Sequence, residues 1–215
     1  MRAMRRLRTT EDRVRHWDAV YDGAEESRFS WFEDKPRCST EMLAALGARP
    51  QDAVVDIGTG ASRLIDALLE RGFGDVTALD SCPAGPRRIR ERLGPTATTI
   101  QWIVHDLLRW VPSRRYGIWH DRGLYHFLTA RADRARYHDL LDAALLPGAG
   151  VVIGAFAEDG PTRCAGLRTA RYSPGQLGRM LGHGTICETI AVAREMHPTP
   201  GGELQPFTWI AARRW

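Results

Sequence analysis

The chain has 215 residues, of which 43% are hydrophobic and 26% are charged. These fractions are those of an ordinary soluble globular domain. No apolar run approaches the roughly 20 residues that a membrane span requires, and a formal net charge of +4 is too small to indicate a nucleic-acid-binding surface. We therefore expect a soluble, cytoplasmic protein, monomeric or homodimeric, without membrane or nucleic-acid partners.

The cysteines and the basic start indicate neither secretion nor a metal site. The cysteines lie far apart, without a C-x-x-C pair, at Cys38, Cys82, Cys164 and Cys187. This spacing predicts neither a disulfide framework nor a bound metal ion. Residues 1–8 are rich in arginine but lack the apolar core of a secretory signal, so we predict a solvated tail there.

The segment before residue 50 is unusually aromatic. Sixteen positions contain Trp17, Tyr21, Phe29, Trp31 and Phe32. One interpretation is that helix faces pack these rings on the edge of a sheet, and the other is a lid that closes an active site. We take residues 1–50 as a helical lid segment and 51–215 as the catalytic domain, with its cofactor-binding half at about 51–157.

From residue 53 onward, apolar strand patterns alternate with helical ones. The predicted strands are 53–57, 76–80, 100–104, 116–119, 151–156, 186–193 and 207–211. The predicted helices are 62–71, 86–93, 130–146 and about 174–181. This alternation predicts an α/β fold with a Rossmann-like, doubly wound and mostly parallel sheet of seven strands, with helices on both faces.

A glycine-containing loop follows the first predicted strand. Its sequence, Asp56-Ile57-Gly58-Thr59-Gly60-Ala61-Ser62, lets the backbone turn tightly and approach a ligand closely. Asp80 ends the next strand about 20 residues later, where a carboxylate can accept hydrogen bonds from ribose hydroxyls. Strand, glycine loop, helix and carboxylate together predict a nucleotide-like cofactor.

The loop favours S-adenosylmethionine (SAM) over a dinucleotide. A dinucleotide site has the pattern G-x-G-x-x-G, which rests a pyrophosphate on a helix N-terminus. Here Ser62-Arg63 follows Gly60, with no third glycine in phase. Asp56 would repel a pyrophosphate, whereas it can bind the ammonium group of SAM. A nicotinamide-dependent oxidoreductase is kept as a minor alternative.

At these residues the sequence resembles the class I SAM-dependent methyltransferases. Asp56–Gly60 is similar to their D/E-x-G-x-G motif, and His105-Asp106 is similar to their acidic pair after the third strand. Pro147–Gly150 resembles their turn before the fifth strand, with Ala149 as a departure, and Ser62 replaces a common third glycine. The resemblance implies bound SAM, with S-adenosylhomocysteine as the product. The implied cofactor-binding residues are Asp56, Gly58, Gly60, Asp80, Ser81, Asp106, Leu107 and His120.

Two shorter segments bear on the subgroup. Trp119–Leu124 resembles the W-D-R-G-A segment of thiopurine and thiol methyltransferases. The segments 16–21 and 30–32 resemble a W-D-x-x-Y…W start that those enzymes share with some protein lysine methyltransferases. The (N/D)-P-P-(Y/F) segment of DNA and glutamine methylases is replaced by His-Asp-Arg-Gly, so an amide or base nitrogen is a poor acceptor candidate.

The sequence predicts transfer of a methyl group to a sulfur, nitrogen or oxygen atom of a small molecule. Histidine suits proton transfer because its ordinary pKa is near 6.5, although a structural hydrogen bond is the commoner role of a histidine. Candidate catalytic residues are His120, Asp121 and His126. Candidate acceptor-binding residues are Trp31, Phe32, Arg122, Tyr125, Arg163 and His197. The alternatives are a protein lysine methyltransferase and a SAM-binding protein that transfers no methyl group.

Overall fold

The computed structural model describes residues 9–181 and 186–215, with Ile186 and Cys187 described by their backbone alone. The predicted tail at 1–8 and the Cys187 side chain lie outside the described residues. The helices are α1 (Thr10–Asp22), α2 (Arg37–Ala45), α3 (Leu64–Glu70), α4 (Ala84–Leu93), α5 (Arg131–Ala144) and α6 (Pro174–Leu181). The strands are β1 (Val54–Ile57), β2 (Val76–Asp80), β3 (Gln101–Val104), β4 (Tyr116–Arg122), β5 (Leu145–Phe156), β6 (Arg163–Cys164), β7 (Leu167–Arg168), β8 (Ile186–Pro198) and β9 (Leu204–Arg214).

Seven strands form one sheet in the order β3-β2-β1-β4-β5-β9-β8, and β6 and β7 form a separate hairpin. The first five strands are parallel, and β9 runs antiparallel to both β5 and β8. The predicted fold is confirmed. The strand order reverses direction between β1 and β4, and in open α/β sheets ligands bind at the carboxyl ends of the strands beside such a point.

Helices cover both faces of the sheet. The buried apolar residues of α2, α3 and α4 form one cluster with Val54 and Val76, while those of α5 and α6 form a second cluster with Val55 and Ile57. Neighbouring residues of β1 point to opposite faces, and all four are buried. A strand buried on both faces is mostly apolar, as Val54, Val55 and Ile57 are here, which is why β1 could be predicted from the sequence.

Some element bounds differ from the predicted ones. The strand β5 begins at Leu145, directly after the end of α5, because Leu145 pairs with Tyr116 of β4. Pro147-Gly148 therefore lies within the strand rather than closing the helix. The strand β8 continues to Pro198 because it pairs with β9 throughout. The β6–β7 hairpin was not predicted, since two-residue strands leave no periodic pattern.

The N-terminal segment packs over the carboxyl end of the sheet. Thr9 begins α1 through a capping box with Asp12. Tyr21 and Phe29 are buried against Ala61 and neighbouring residues of α4. None of the helices in the described part of the chain is long and apolar enough to cross a membrane.

Candidate active-site cavity

A cavity of about 890 Å³ lies at the carboxyl ends of the parallel strands, beneath the N-terminal segment. Ligand-binding cavities usually measure about 300–1,000 Å³, so this one has room for a cofactor and a small second molecule. All the predicted cofactor-binding residues line it. Among the other predicted residues, Trp31, Phe32, Arg122, His126 and Arg163 line it, whereas Asp121, Tyr125 and His197 do not.

The glycine loop forms one wall of the cavity. Gly58 and Gly60 have φ of +65° and +53°, a region that side-chain-bearing residues rarely adopt. A Cβ atom on Gly60 would also collide with the hydroxyl of Tyr21. A Cβ on Gly85, in α4, would lie 2.7 to 2.8 Å from backbone atoms of Gly60. Gly60 and Gly85 therefore allow the loop, the lid segment and α4 to meet closely.

Asp56 is held in place by a chain of buried polar groups. One of its carboxylate oxygens accepts a hydrogen bond from His120 Nδ1 at 2.8 Å, and the other accepts one from the Thr59 hydroxyl at 2.5 Å. His120 Nε2 lies 2.9 Å from the Ser39 hydroxyl. Both ring nitrogens of His120 are therefore engaged, one by Asp56 and the other by Ser39. Neither nitrogen is left for an acceptor molecule, so this geometry favours positioning of Asp56 over proton transfer.

Asp80 closes the same wall at the end of β2. It accepts backbone hydrogen bonds from Gly60 N at 2.8 Å and Cys82 N at 3.0 Å, which tie the glycine loop to the start of α4. Burial raises the pKa of Asp80 above its ordinary value, against the opposing effect of those bonds. The carboxylate lies at the surface of the cavity with lone pairs that a ribose hydroxyl can use.

Asp106, after β3, is held by the lid segment. One carboxylate oxygen accepts from the Thr10 hydroxyl at 2.6 Å and from the Arg13 guanidinium, and the other accepts from Leu108 N at 3.2 Å. Burial alone would raise the pKa of Asp106, but the bonds from Arg13 and Thr10 outweigh it and hold the pKa below its ordinary value. The helix α1 is therefore fastened to the carboxylate that the resemblance assigns to the adenine.

A second polar cluster joins the lid segment to the sheet. Arg122 donates to the carbonyl of Trp31 at 2.9 Å and pairs with Glu33 at 3.0 Å. His197 Nε2 donates to the Ser30 carbonyl at 2.9 Å, so its Nδ1 accepts from Arg122 at 3.4 Å. Both predicted acceptor-binding residues thus hold the lid segment, and His197 does so from outside the cavity lining.

Within that cluster, one ligand atom each from Glu33, Glu195 and His197 lie within 4.8 Å of one another. Burial and the neighbouring Glu33 carboxyl raise the pKa of Glu195 to about 7. The spacing alone would suit a metal ion, but the guanidinium of Arg122 pairs with Glu33 and its positive charge opposes a cation. The cluster is better described as a charge network that fixes the lid.

Asp121 and Tyr125 lie in the core behind the cavity. Asp121 accepts from the Tyr137 hydroxyl at 2.8 Å and from Leu124 N at 2.9 Å, and burial raises its pKa to about 6. Tyr125 is fully buried against Tyr137 and Tyr172. These contacts favour a structural role for both residues, in shaping the turn that carries His126, over the predicted contact with the reacting molecules.

His126 is the candidate histidine with its ring nitrogens free. The ring is 2% exposed and stacks on Phe156 at 4.3 Å, and neither nitrogen has a partner within the described residues. Burial, with a smaller effect of Arg122, lowers its pKa to about 3, so the ring is neutral near pH 7. A buried unpaired polar group is uncommon and calls for an explanation. A bound molecule in this cavity would supply the missing partner.

Several site residues were not predicted from the sequence. Ser39 supports His120 from 81 residues away, and Glu33 pairs with Arg122 across the cavity. Arg13 and Tyr21 reach the cavity from α1, and Gly85 brings α4 to the glycine loop. Tyr21 stood within the aromatic segment, which was the one available signal. The others lie in stretches without a motif and became site residues through folding alone.

The architecture of the chain is similar to that of several proteins of known structure. No model of a known protein family matches the chain. The 1,6-didemethyltoxoflavin-N1-methyltransferase of Burkholderia thailandensis is 22% identical with a TM-score of 0.72, covering 98% of this chain and 92% of that one. The N-methyltransferase NodS of Bradyrhizobium japonicum is 13% identical with a TM-score of 0.69, covering 93% and 98%. A protein described in the conversion of a disulfide bond into a thioacetal group during echinomycin biosynthesis is 23% identical with a TM-score of 0.70, covering 94% and 92%.

These similarities define the fold class: the chain has the architecture of class I SAM-dependent methyltransferases. Among curated proteins, the chain is similar to the bovine (Bos taurus) EEF1A lysine methyltransferase 4, with 32% identity over 95 residues. The aligned part is 44% of this chain and about a third, 36%, of that protein. None of these comparisons singles out the thiopurine and thiol methyltransferases.

Proposed function

We propose that this protein is a SAM-dependent methyltransferase that methylates a heteroatom of a small molecule. The observation that carries the proposal is a row of three buried carboxylates along one cavity wall. Asp56, Asp80 and Asp106 lie at the ends of β1, β2 and β3, three neighbouring strands, beside a glycine loop that a side chain would obstruct. Such a row suits a long ligand with an amino group, a ribose and an adenine.

The surroundings of each carboxylate support a role in binding one group of SAM. Asp56 would bind the ammonium group of SAM directly or through water, held still by His120 and Thr59. Asp80 would accept from the ribose hydroxyls, and Asp106 from the adenine amino group, with Leu107 against the ring. Three carboxylates on this wall would repel a pyrophosphate. This charge pattern argues against a nicotinamide cofactor.

SAM supplies a methyl group on a positively charged sulfur, which an acceptor atom takes by in-line displacement. The contribution of the chain is to hold the acceptor in line, exclude water and manage its proton. His126 faces the cavity as a neutral ring with one N–H donor and one lone pair. It would orient the acceptor by a hydrogen bond, and at a pKa of about 3 it binds a proton weakly.

A protein lysine methyltransferase is the second candidate. The partial similarity to the bovine EEF1A lysine methyltransferase 4 supports it. The aligned segment is 95 residues, and the fold that it shares serves both acceptor classes. A SAM-dependent reaction other than methyl transfer, or SAM binding alone, would use the same cofactor residues. The product separates these candidates, because methyl transfer yields S-adenosylhomocysteine and displacement at another carbon yields methylthioadenosine.

The first experiment is calorimetric titration of the protein with SAM and with S-adenosylhomocysteine. The variant Asp80→Asn removes the charge at the carboxyl end of β2, and Asp75→Asn removes one just before its amino end, on an exposed side chain. We expect binding of both ligands, weakened about tenfold or more by Asp80→Asn, the loss of a charge-assisted hydrogen bond, and unchanged by Asp75→Asn. Binding of NAD without binding of SAM would overturn the proposal.

A further inference from the structure

The β6–β7 hairpin and the loop after it form the rim of the cavity. Arg163, Arg168 and Arg171 all line the cavity there, with exposed side chains. Arg163 donates to the Gly166 carbonyl at 3.1 Å and Arg171 to the Gly160 carbonyl at 3.5 Å. Within residues 9–181 and 186–215, none of the three forms an ion pair. We name this set of three residues the arginine rim.

The other arginines of the cavity are neutralised. Arg13 pairs with Asp106, Arg63 with Glu26 at 2.9 Å, and Arg122 with Glu33 at 3.0 Å. The unpaired guanidinium groups are therefore collected at one end of the cavity. Asp133 also lines the cavity, and Arg171 attracts Asp159, which is itself paired with Arg194. The three arginines still outnumber these two carboxylates and leave a net positive charge. Arginine presents donors in a planar fork that fits carboxylate and phosphate groups.

The rim is built on a short, well-defined backbone. Ala165 and Gly166 connect β6 to β7 with φ of +47° and +77°, as in the tight hairpin turns with two left-handed residues. Ala170 N donates to the backbone carbonyl of His126 at 2.7 Å, and Thr169 N donates to the Thr162 carbonyl at 3.1 Å. The hairpin is thereby fixed to the histidine that faces the acceptor end.

Apolar side chains also line the cavity. These are Phe127, Phe156 and Phe207, together with Trp31 and the buried Cys164. Burial raises the pKa of the Cys164 thiol to about 11, so it contributes an uncharged surface. An acceptor that fits both features has an apolar body and an anionic end.

We infer that the methyl acceptor carries a carboxylate or phosphate group, which Arg163, Arg168 and Arg171 bind at the rim while its apolar body lies beside His126. This inference rests on the proposed function, because it concerns the second ligand of the same cavity. The arginine rim would repel the ammonium group of a lysine side chain, so the inference also favours the small-molecule acceptor over the protein lysine methyltransferase.

The test is calorimetric titration with three probes that share a six-membered aromatic ring: 4-hydroxybenzoate, phenyl phosphate and the uncharged 4-methylphenol. Each is titrated at low ionic strength into the protein alone and into the protein with S-adenosylhomocysteine. The rim variants are Arg163→Gln, Arg168→Gln and Arg171→Gln. The matched control is Arg115→Gln, which removes an exposed arginine just before β4, at the opposite end of the sheet.

We expect at least one anionic probe to bind tenfold or more tightly than 4-methylphenol, and the preference to fall in the rim variants and at high salt but not in Arg115→Gln. Whichever anion is preferred identifies the group. Equal binding of charged and uncharged probes, or equal losses in Arg115→Gln, would overturn the inference. The titrations of the protein alone keep this outcome separate from the proposed function, which fails if SAM and S-adenosylhomocysteine do not bind.

Discussion

Acid should destabilise the fold through His126. Burial and, to a smaller extent, Arg122 lower the pKa of this imidazole to about 3 in the folded protein, while in an unfolded chain histidine has a pKa near 6.5. Because the unfolded chain binds the proton more readily, the full stability is present above pH 6.5 and is lost as the pH falls towards 3. At about 1.4 kcal/mol per pH unit, the loss is about 3 kcal/mol at pH 4.5 and about 4 kcal/mol at pH 3, where half of the folded molecules have also bound the proton.

The assay is urea denaturation at pH 7.5 and pH 4.5 of the wild type and of His126→Phe. Phenylalanine keeps the ring that stacks on Phe156 and removes the titrating group. Other carboxyl groups titrate in this range, so the informative quantity is the difference between the two proteins in their loss of stability. We expect a difference of about 3 kcal/mol, and none for the exposed control His105→Gln. A loss in His126→Phe equal to that of the wild type would refute the argument.

Three further predictions follow from single contacts. Gly85→Ala should push α4 from Gly60, weaken S-adenosylhomocysteine binding at least tenfold and cost about 1–3 kcal/mol of stability; Gly74→Ala, which has open space, should do neither in the same titration and melting experiments. Arg13→Gln should speed hydrogen exchange over α1 by removing the pair with Asp106, whereas Arg15→Gln, at an exposed position of the same helix, should not. Equal exchange rates in the two variants would contradict this prediction. Burial raises the pKa of Asp121 to about 6, so the wild type should lose about 2 kcal/mol of stability relative to Asp121→Asn as the pH rises from 4 to 6; parallel stability curves would show that its ionisation carries no such cost.

Much of the fold could be predicted from the sequence because its determinants are local. The buried strands β1 and β2 consist mostly of apolar residues, and α3 and α5 place apolar residues at helical spacing. The start of β5 and the end of β8 could not be predicted from the sequence, because pairing with neighbouring strands, and not the local pattern, decides where these strands begin and end. The glycine loop was evident for the same local reason, since its residues adjoin one another in the sequence.

Some residues of the candidate site could be predicted from the sequence and others could not, and this difference has a physical cause. The sequence by itself determined which residues follow each parallel strand, and the topology brings those ends together, so the position of Asp56, Asp80 and Asp106 on one cavity wall was predictable. The hydrogen-bond partners were decided only by the tertiary structure. Ser39 engages His120, and the lid residues Ser30 and Glu33 engage His197 and Arg122, across 81 or more positions of the chain. A side chain pairs with whatever the packing brings within about 3 Å, and packing of distant segments leaves no local pattern in the sequence. For that reason His126 alone among the candidate histidines kept free nitrogens within the described residues, and the arginine rim became distinct from the other arginines of the chain.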